Sequence, residues 1–180
     1  MRRSPGTLAA PRLDVGPMRR RHLRGIMAIE RRVYTRPWSP GLFVAEMADP
    51  ANRRYLVARL GGEVVGYGGV IVYDGEAHVT NVAVAPEHQR RGIAARILHD
   101  LLEGAIELGA ETVALEVRVT NWAAQRLYAR FGFRPVGVRK GYYQDVREDA
   151  LIMWADDVRG EPFRARLRRE GDRLPIEVRP

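Results

Sequence analysis

The strongest constraint on the fold lies between residues 78 and 108, where a strand-like run gives way to a long helical pattern. His78–Val84 is rich in β-branched and small apolar residues, and Pro86 stops it. From Gly92 to Leu108 the apolar positions Ile93, Ile97, Leu98, Leu101, Leu102, Ala105 and Leu108 recur with a period near 3.6, and Gly109 supplies a C-cap. A helix with so wide an apolar face must lie on a sheet or on other helices, and the strand that feeds it makes a sheet the natural partner.

The flanking segments supply the rest of that sheet. Arg20–Val33 places Leu23, Ile26, Met27, Ile29 and Val33 near helical spacing. Pro37-Trp38-Ser39-Pro40 breaks the chain, and Ser39 can cap a second helix over Gly41–Met47. Tyr55–Arg59 and Glu63–Val72 read as a hairpin turning at Gly61-Gly62, and Asp74-Gly75 turns the chain back into the strand before Pro86. Thr112–Val117 is a short strand, Trp122–Arg130 a helix, and Phe131-Gly132-Phe133 leads into a further strand, with Ala150–Trp154 the last. Strands followed by crossover helices predict a mixed α/β (α+β) architecture.

Composition bounds the function. The 180 residues suit one domain with a real core, and no apolar run approaches the ~20 residues needed to span a bilayer. The basic N-terminus is followed by no apolar stretch of the kind a secretory signal carries, and a cytoplasmic location is expected. With no cysteine, the chain can form neither disulfides, nor a thiolate metal site, nor an acyl-cysteine intermediate. His22, His88 and His99 are too scattered to suggest a metal site. The net charge of +8 resides at the ends: residues 1–24 hold seven arginines against Asp14, and residues 159–180 hold seven against four acids. Such ends are read as solvated arginine-rich tails, with non-specific attraction to RNA or acidic proteins as the alternative. The expected organisation is a flexible basic leader (1–16), one domain (17–157) and an arginine-rich tail (158–180).

Two stretches carry chemistry. In Gln89-Arg90-Arg91-Gly92-Ile93-Ala94 a helix opens on small residues, where unpaired N–H groups and the positive dipole end favour a diphosphate. The same pattern also suits a plain helix start. In the second stretch Glu116 interrupts an apolar strand, Asn121 precedes the next helix and Tyr128 lies on it. An amine nucleophile must shed a proton before it attacks, and a carboxylate at a strand end suits that task. A surface carboxylate and a packing tyrosine are the structural alternatives.

Together these stretches resemble the GCN5-related N-acetyltransferase (GNAT) superfamily over roughly residues 18–155. Gln89-x-x-Gly92-x-Ala94 is similar to its acyl-CoA motif. Glu116-Val117-Arg118-x-x-Asn121-x-x-Ala124-x-x-Leu127-Tyr128-x-x-x-Gly132-Phe133 resembles its ribosomal-protein alanine N-acetyltransferase (RimI) branch. The resemblance implies a mostly antiparallel sheet with splayed central strands, flanked by helices. It implies acetyl-CoA as co-substrate, its pantetheine along Val82, Ala83 and Val84, its pyrophosphate on the amides of Arg90, Arg91, Gly92, Ile93, Ala94 and Ala95, and Asn121 in contact with it. Glu116 becomes the general base and Tyr128 the general acid. Tyr34 and Pro37, before the second helix, and Tyr142 and Tyr143, in the last hairpin, become substrate contacts, though hairpin packing explains the last two equally well. His78 reads as a structural histidine. The expected acceptor is the N-terminal α-amine of a protein, possibly a ribosomal one. A small amine, a lysine side chain, or a non-catalytic CoA- and RNA-binding role are the alternatives. No metal, membrane or specific nucleic-acid partner is expected.

Overall fold

Two neighbouring central strands run parallel for three register positions and then part, and the rest of the molecule is arranged about that gap. The computed structural model describes residues 11–175. In chain order it comprises β1 (Leu13–Pro17), a 3-10 turn (Arg20–His22), α1 (Leu23–Val33), α2 (Pro40–Met47), β2 (Arg53–Leu60), β3 (Glu63–Tyr73) and β4 (Glu76–Val84). A second 3-10 turn (Pro86–His88) follows, then α3 (Ile93–Glu107), β5 (Thr112–Arg118), α4 (Trp122–Arg130), β6 (Arg134–Tyr143), β7 (Glu148–Ala155) and α5 (Glu161–Gly171). The strands form one seven-stranded sheet in the order β1-β2-β3-β4-β5-β7-β6. Every pairing is antiparallel except β4–β5, which joins Glu76, Ala77 and His78 to Thr112, Val113 and Ala114. Beyond His78 the chain diverges, so Val79–Val84 pairs with β3 alone. Thr80 is an extra residue opposite the Gly69–Val70 step, a bulge that bends β4 where the gap begins.

The expected helices and strands form with small changes at their ends. Ser39 caps α2 by accepting the Leu42 N–H at 3.2 Å. The long helix α3 buries Ile93, Ile97, Leu98, Leu101 and Leu102 almost completely against β2, β3 and β4. Each such side chain contributes about 1.5–3 kcal/mol to the folded state. The contact is close because Gly68 carries no side chain: a Cβ there would stand 2.8 Å from Ile97 and 2.9 Å from Leu101. On the opposite face α1 and α2 build a second cluster from Ile26, Ile29, Phe43, Tyr55 and Tyr67.

Both ends depart from expectation. Residues 13–16, placed in a flexible leader, belong to β1, which pairs with β2 from Leu13↔Leu60 to Pro17↔Leu56. Leu13 enters the core, Asp14 pairs with Arg59, and Pro17 is tolerated because the strand lies at the sheet edge. Residues 1–10 lie outside the described part. In the expected tail, α5 docks on α3 through Phe163 and Leu167, beneath a buried Val158. Glu170, also buried, is met by Arg130 at 2.6 Å and Arg173 at 3.3 Å. These contacts make the segment up to Pro175 part of the folded body; residues 176–180 are not described.

Candidate active site

The gap between β4 and β5 opens into a cavity of about 450 Å³. Val82 lines it, while the side chains of Ala83 and Val84 turn into the core. What β4 offers across the gap from Val79 onward is therefore backbone without a strand partner on that side. Where β4 ends, the Gln89 amide donates to the Val84 carbonyl at 3.1 Å and closes the turn. Arg90 and Gly92 both adopt positive φ, at 62° and 79°. Alternating left-handed residues of this kind aim successive N–H groups at one point and create an anion-binding concavity. Ile93 and Ala95 send their side chains into the core, so the first turn of α3 presents backbone N–H groups ahead of its own hydrogen-bond ladder. Arg90 is exposed, and Arg91 and Ala94 are half-buried. An extended polar arm along β4 ending in a diphosphate at α3 fits this donor set.

Glu116 and Tyr128 reach the cavity from opposite faces of the sheet. On β5 the residues alternate: Val113, Leu115 and Val117 pack in the core that also holds Tyr128, whereas Glu116 and Arg118 stand on the other face. Both Glu116 and Tyr128 line the cavity. The Glu116 side chain is 11% exposed, with Oε2 at 2.5 Å from His78 Nε2 and Oε1 at 3.2 Å from an Arg139 guanidinium nitrogen. His78, expected to be structural, is thus a direct partner of the carboxylate. Burial, with Tyr143 nearby as the lesser cause, pushes the Tyr128 hydroxyl up to about 12. It therefore keeps its proton throughout the physiological range.

Tyr34, Tyr142 and Tyr143 line the same cavity. Burial raises Tyr34 above its ordinary range and pushes Tyr143 to about 12. The two hairpin tyrosines pack edge to face at 5.1 Å, with Arg118 5.0 Å over Tyr143 and Arg139 5.1 Å over Tyr142. Thr35 donates a hydrogen bond to Asp145, joining the loop after α1 to the turn between β6 and β7. Pro37, expected beside the substrate, is exposed and is not among the residues lining the cavity; the neighbouring Tyr34, Thr35, Arg36 and Trp38 are. Asn121 lines the cavity too, but its side-chain oxygen is committed to capping α4, accepting the Ala124 N–H at 3.1 Å. Its amide NH₂ is the group left to face a ligand.

Glu30, like Arg139, is a residue of this site that the sequence reading passed over. Only 1% exposed, it accepts the Trp38 backbone N–H at 2.7 Å and the Tyr67 hydroxyl, and it contributes to the cavity wall. Burial raises its pKa above the usual carboxylate range, against the lowering effect of those two hydrogen bonds. Its signal was present: Glu30 lies four residues after Ile26 and three before Val33, inside the apolar stripe of α1. Among the described residues no group of three or more metal-ligating side chains occurs, and no helix is long and apolar enough to cross a membrane.

Comparison with known proteins follows the same outline. A family model described as the acetyltransferase (GNAT) family matches residues 23–133. The chain is 40% identical over 132 residues to the N-alpha-acetyltransferase RimI of Mycobacterium tuberculosis, a match covering 70% of this chain and 78% of that enzyme. It is 36% identical over 129 residues to the [ribosomal protein bS18]-alanine N-acetyltransferase of Escherichia coli K12, covering 69% of this chain and 84% of that enzyme. The crystal structure of the ribosomal-protein-S18-alanine N-acetyltransferase from Escherichia coli superposes with a TM-score of 0.72 at 30% identity, covering 81% of this chain and 94% of that one.

Proposed function

The chain belongs to the acetyltransferase (GNAT) family, and from that premise we propose that it transfers the acetyl group of acetyl-CoA directly to the N-terminal α-amine of a protein. The observation that carries the proposal is the approach of Glu116 and Tyr128 from opposite sheet faces into one cavity. A base on the acceptor side and an acid on the cofactor side are what one-step transfer needs.

Acetyl-CoA supplies an activated thioester, and this chain supplies its alignment and the proton handling. The unpaired edge of Val82, Ala83 and Val84 holds the pantetheine arm as an added strand. The amides from Arg90 to Ala95 hold the diphosphate, Arg90 and Arg91 add charge, and Asn121 offers its NH₂ to the arm. Tyr34, Tyr142 and Tyr143 hold the first residues of the acceptor chain. Glu116 takes the proton of the attacking amine. An α-amine has a pKa of about 7.7–8.0, so the carboxylate has little work to do to free its lone pair. Tyr128 presents its O–H to the departing sulfur. Its raised pKa guarantees that the proton is there, and the burial that lifts the phenol lifts a thiolate in the same cavity as well. Without a cysteine no acyl-cysteine intermediate can form, in keeping with a ternary complex.

The name of the Escherichia coli enzyme at 36% identity favours a ribosomal protein beginning with alanine as acceptor, and that of the Mycobacterium tuberculosis enzyme at 40% favours an α-amine. Incubating the enzyme with acetyl-CoA and a library of short peptides, half with blocked N-termini, tests this by mass spectrometry. Free N-termini gain one acetyl group, with alanine-first peptides preferred. Acetylation confined to lysine side chains, or equal with blocked peptides, refutes the α-amine reading.

A further inference from the structure

We propose that Arg139 is a positioning residue for Glu116, aiming the carboxylate at the acceptor amine and itself held by Tyr142 of the substrate hairpin. The proposal rests on the reading of Glu116 as the base. Arg139, Ala150 and Arg118 are register partners across β6, β7 and β5, which puts Arg139 on the sheet face of Glu116. From there the guanidinium reaches over β7 to Oε1 at 3.2 Å, while His78 on β4 takes Oε2. Each oxygen is thus fixed from a different side, and a two-point hold leaves a carboxylate no freedom to rotate. An ionised carboxyl has about four lone-pair sites, so two held sites leave two for an incoming N–H.

The two ends of this ion pair differ in exposure. Glu116 is nearly buried, whereas the Arg139 side chain is 54% exposed and packs against the 43%-exposed ring of Tyr142 at 5.1 Å. An arginine so open to solvent adds little to folding stability through its charge, which leaves orientation of the carboxylate as its principal effect. An acceptor chain packing on Tyr142 touches the residue that braces Arg139, so substrate binding and the aim of the base are linked through one side chain. The other ionisable groups lining the cavity about the carboxylate are Arg118 on its own strand, Tyr142 and Tyr143 from β6, Asp145 from the turn after it, Tyr128 from α4, Glu30 from α1, and Tyr34 and Arg36 from the segment after α1. Among them Arg118 is occupied by the Tyr143 ring, which leaves Arg139 as the cation in contact with Glu116 among the described residues.

The test compares Arg139→Met and Arg139→Lys in the full chain, with acetyl-CoA and an alanine-first peptide. Arg139→Met is expected to lower kcat about ten- to a hundredfold, the loss typical of a misplaced reacting group. Its Kd for acetyl-CoA by calorimetry stays within about twofold of the parent, since the cofactor contacts lie elsewhere. Arg139→Lys, which keeps the positive charge beside the carboxylate, restores most of the rate. Parental turnover by Arg139→Met, or equal loss in both variants, overturns the proposal. Glu116→Gln separates the two layers: if that variant retains full activity, the base assignment falls and the proposal with it. If it is inactive while Arg139→Met is normal, the positioning role alone falls.

Discussion

Replacing Glu116 by Gln preserves the size of the side chain and removes its capacity to accept a proton. The structural cost is small. Gln keeps an oxygen for Arg139 or His78, and the arginine it releases from an ion pair is already half in water. The kinetic cost is large, since a positioned general base is worth about 10²–10⁴-fold. That deficit must depend on pH in a calculable way. With an α-amine pKa of about 7.8, roughly one acceptor molecule in seven is unprotonated at pH 7, and over nine in ten are at pH 9. A variant that has lost its base relies on amine deprotonated in solution, so its rate rises about sevenfold between those values. The parent gains less, because Glu116 removes the proton within the complex. Initial rates with an alanine-first peptide across pH 6–9, at saturating acetyl-CoA, make the comparison. A Glu116→Gln enzyme within threefold of the parent at pH 7, or one whose deficit is constant across the range, refutes the role assigned to this carboxylate.

Three further outcomes follow from the packing of the site. Tyr128→Phe lowers kcat more than tenfold, within the range of about 10²–10⁴ for a lost proton donor, while calorimetry finds acetyl-CoA affinity unchanged. Gly92→Ala forces an L-residue to φ +79° and drives a methyl group to 2.9 Å from the Pro175 ring. The strain of about 1–2 kcal/mol distorts the diphosphate loop, and Kd for CoA, measured by titration, rises about five- to thirtyfold. Leu167→Ala empties a site that is 1% exposed at the junction of α5 with α3. Urea unfolding then shows a loss of about 2–5 kcal/mol with an unchanged slope, whereas an α5 merely resting on the surface would show none.

Segments whose stability is encoded locally were legible before any coordinates. The helix expected over Trp122–Arg130 is returned with those bounds as α4, and the structure adds Asn121 as its cap. α3 was equally plain, because its apolar face is wide and nearly unbroken. The two ends were not legible, for one physical reason. β1 has five residues, including Gly16 and Pro17, and gains its conformation from pairing with β2 rather than from propensity. α5 presents Phe163 and Leu167 as its buried apolar residues, and its further buried position is filled by Glu170, whose charge Arg130 satisfies from forty residues away. A pattern reading counts such a position as solvent-facing. Glu30 was overlooked on the same principle, since a carboxylate inside an apolar stripe makes sense only once Tyr67 and Trp38 are seen to meet it.

The site divides along the same line. Its helix start and the Glu116-to-Tyr128 spacing are local and therefore readable. The gap that makes them a site is not local, because Val79–Val84 has the composition of an ordinary paired strand and nothing in it announces that one neighbour is missing. The divergence arises where the Thr80 bulge bends β4 away after three positions of contact with β5. The same departure leaves room for His78 to meet Glu116 at the point of parting, and for Tyr128 to reach the cavity from beneath the sheet. One extra residue in β4 thus separates a closed sheet from one with a slot, and Glu116 and Tyr128, the groups proposed to handle protons, both line that slot. Tertiary geometry of this kind enters a sequence reading through likeness to a known family, which is why Glu116 and Tyr128 were singled out as candidates and the contacts of His78 and Arg139 with Glu116 were not foreseen.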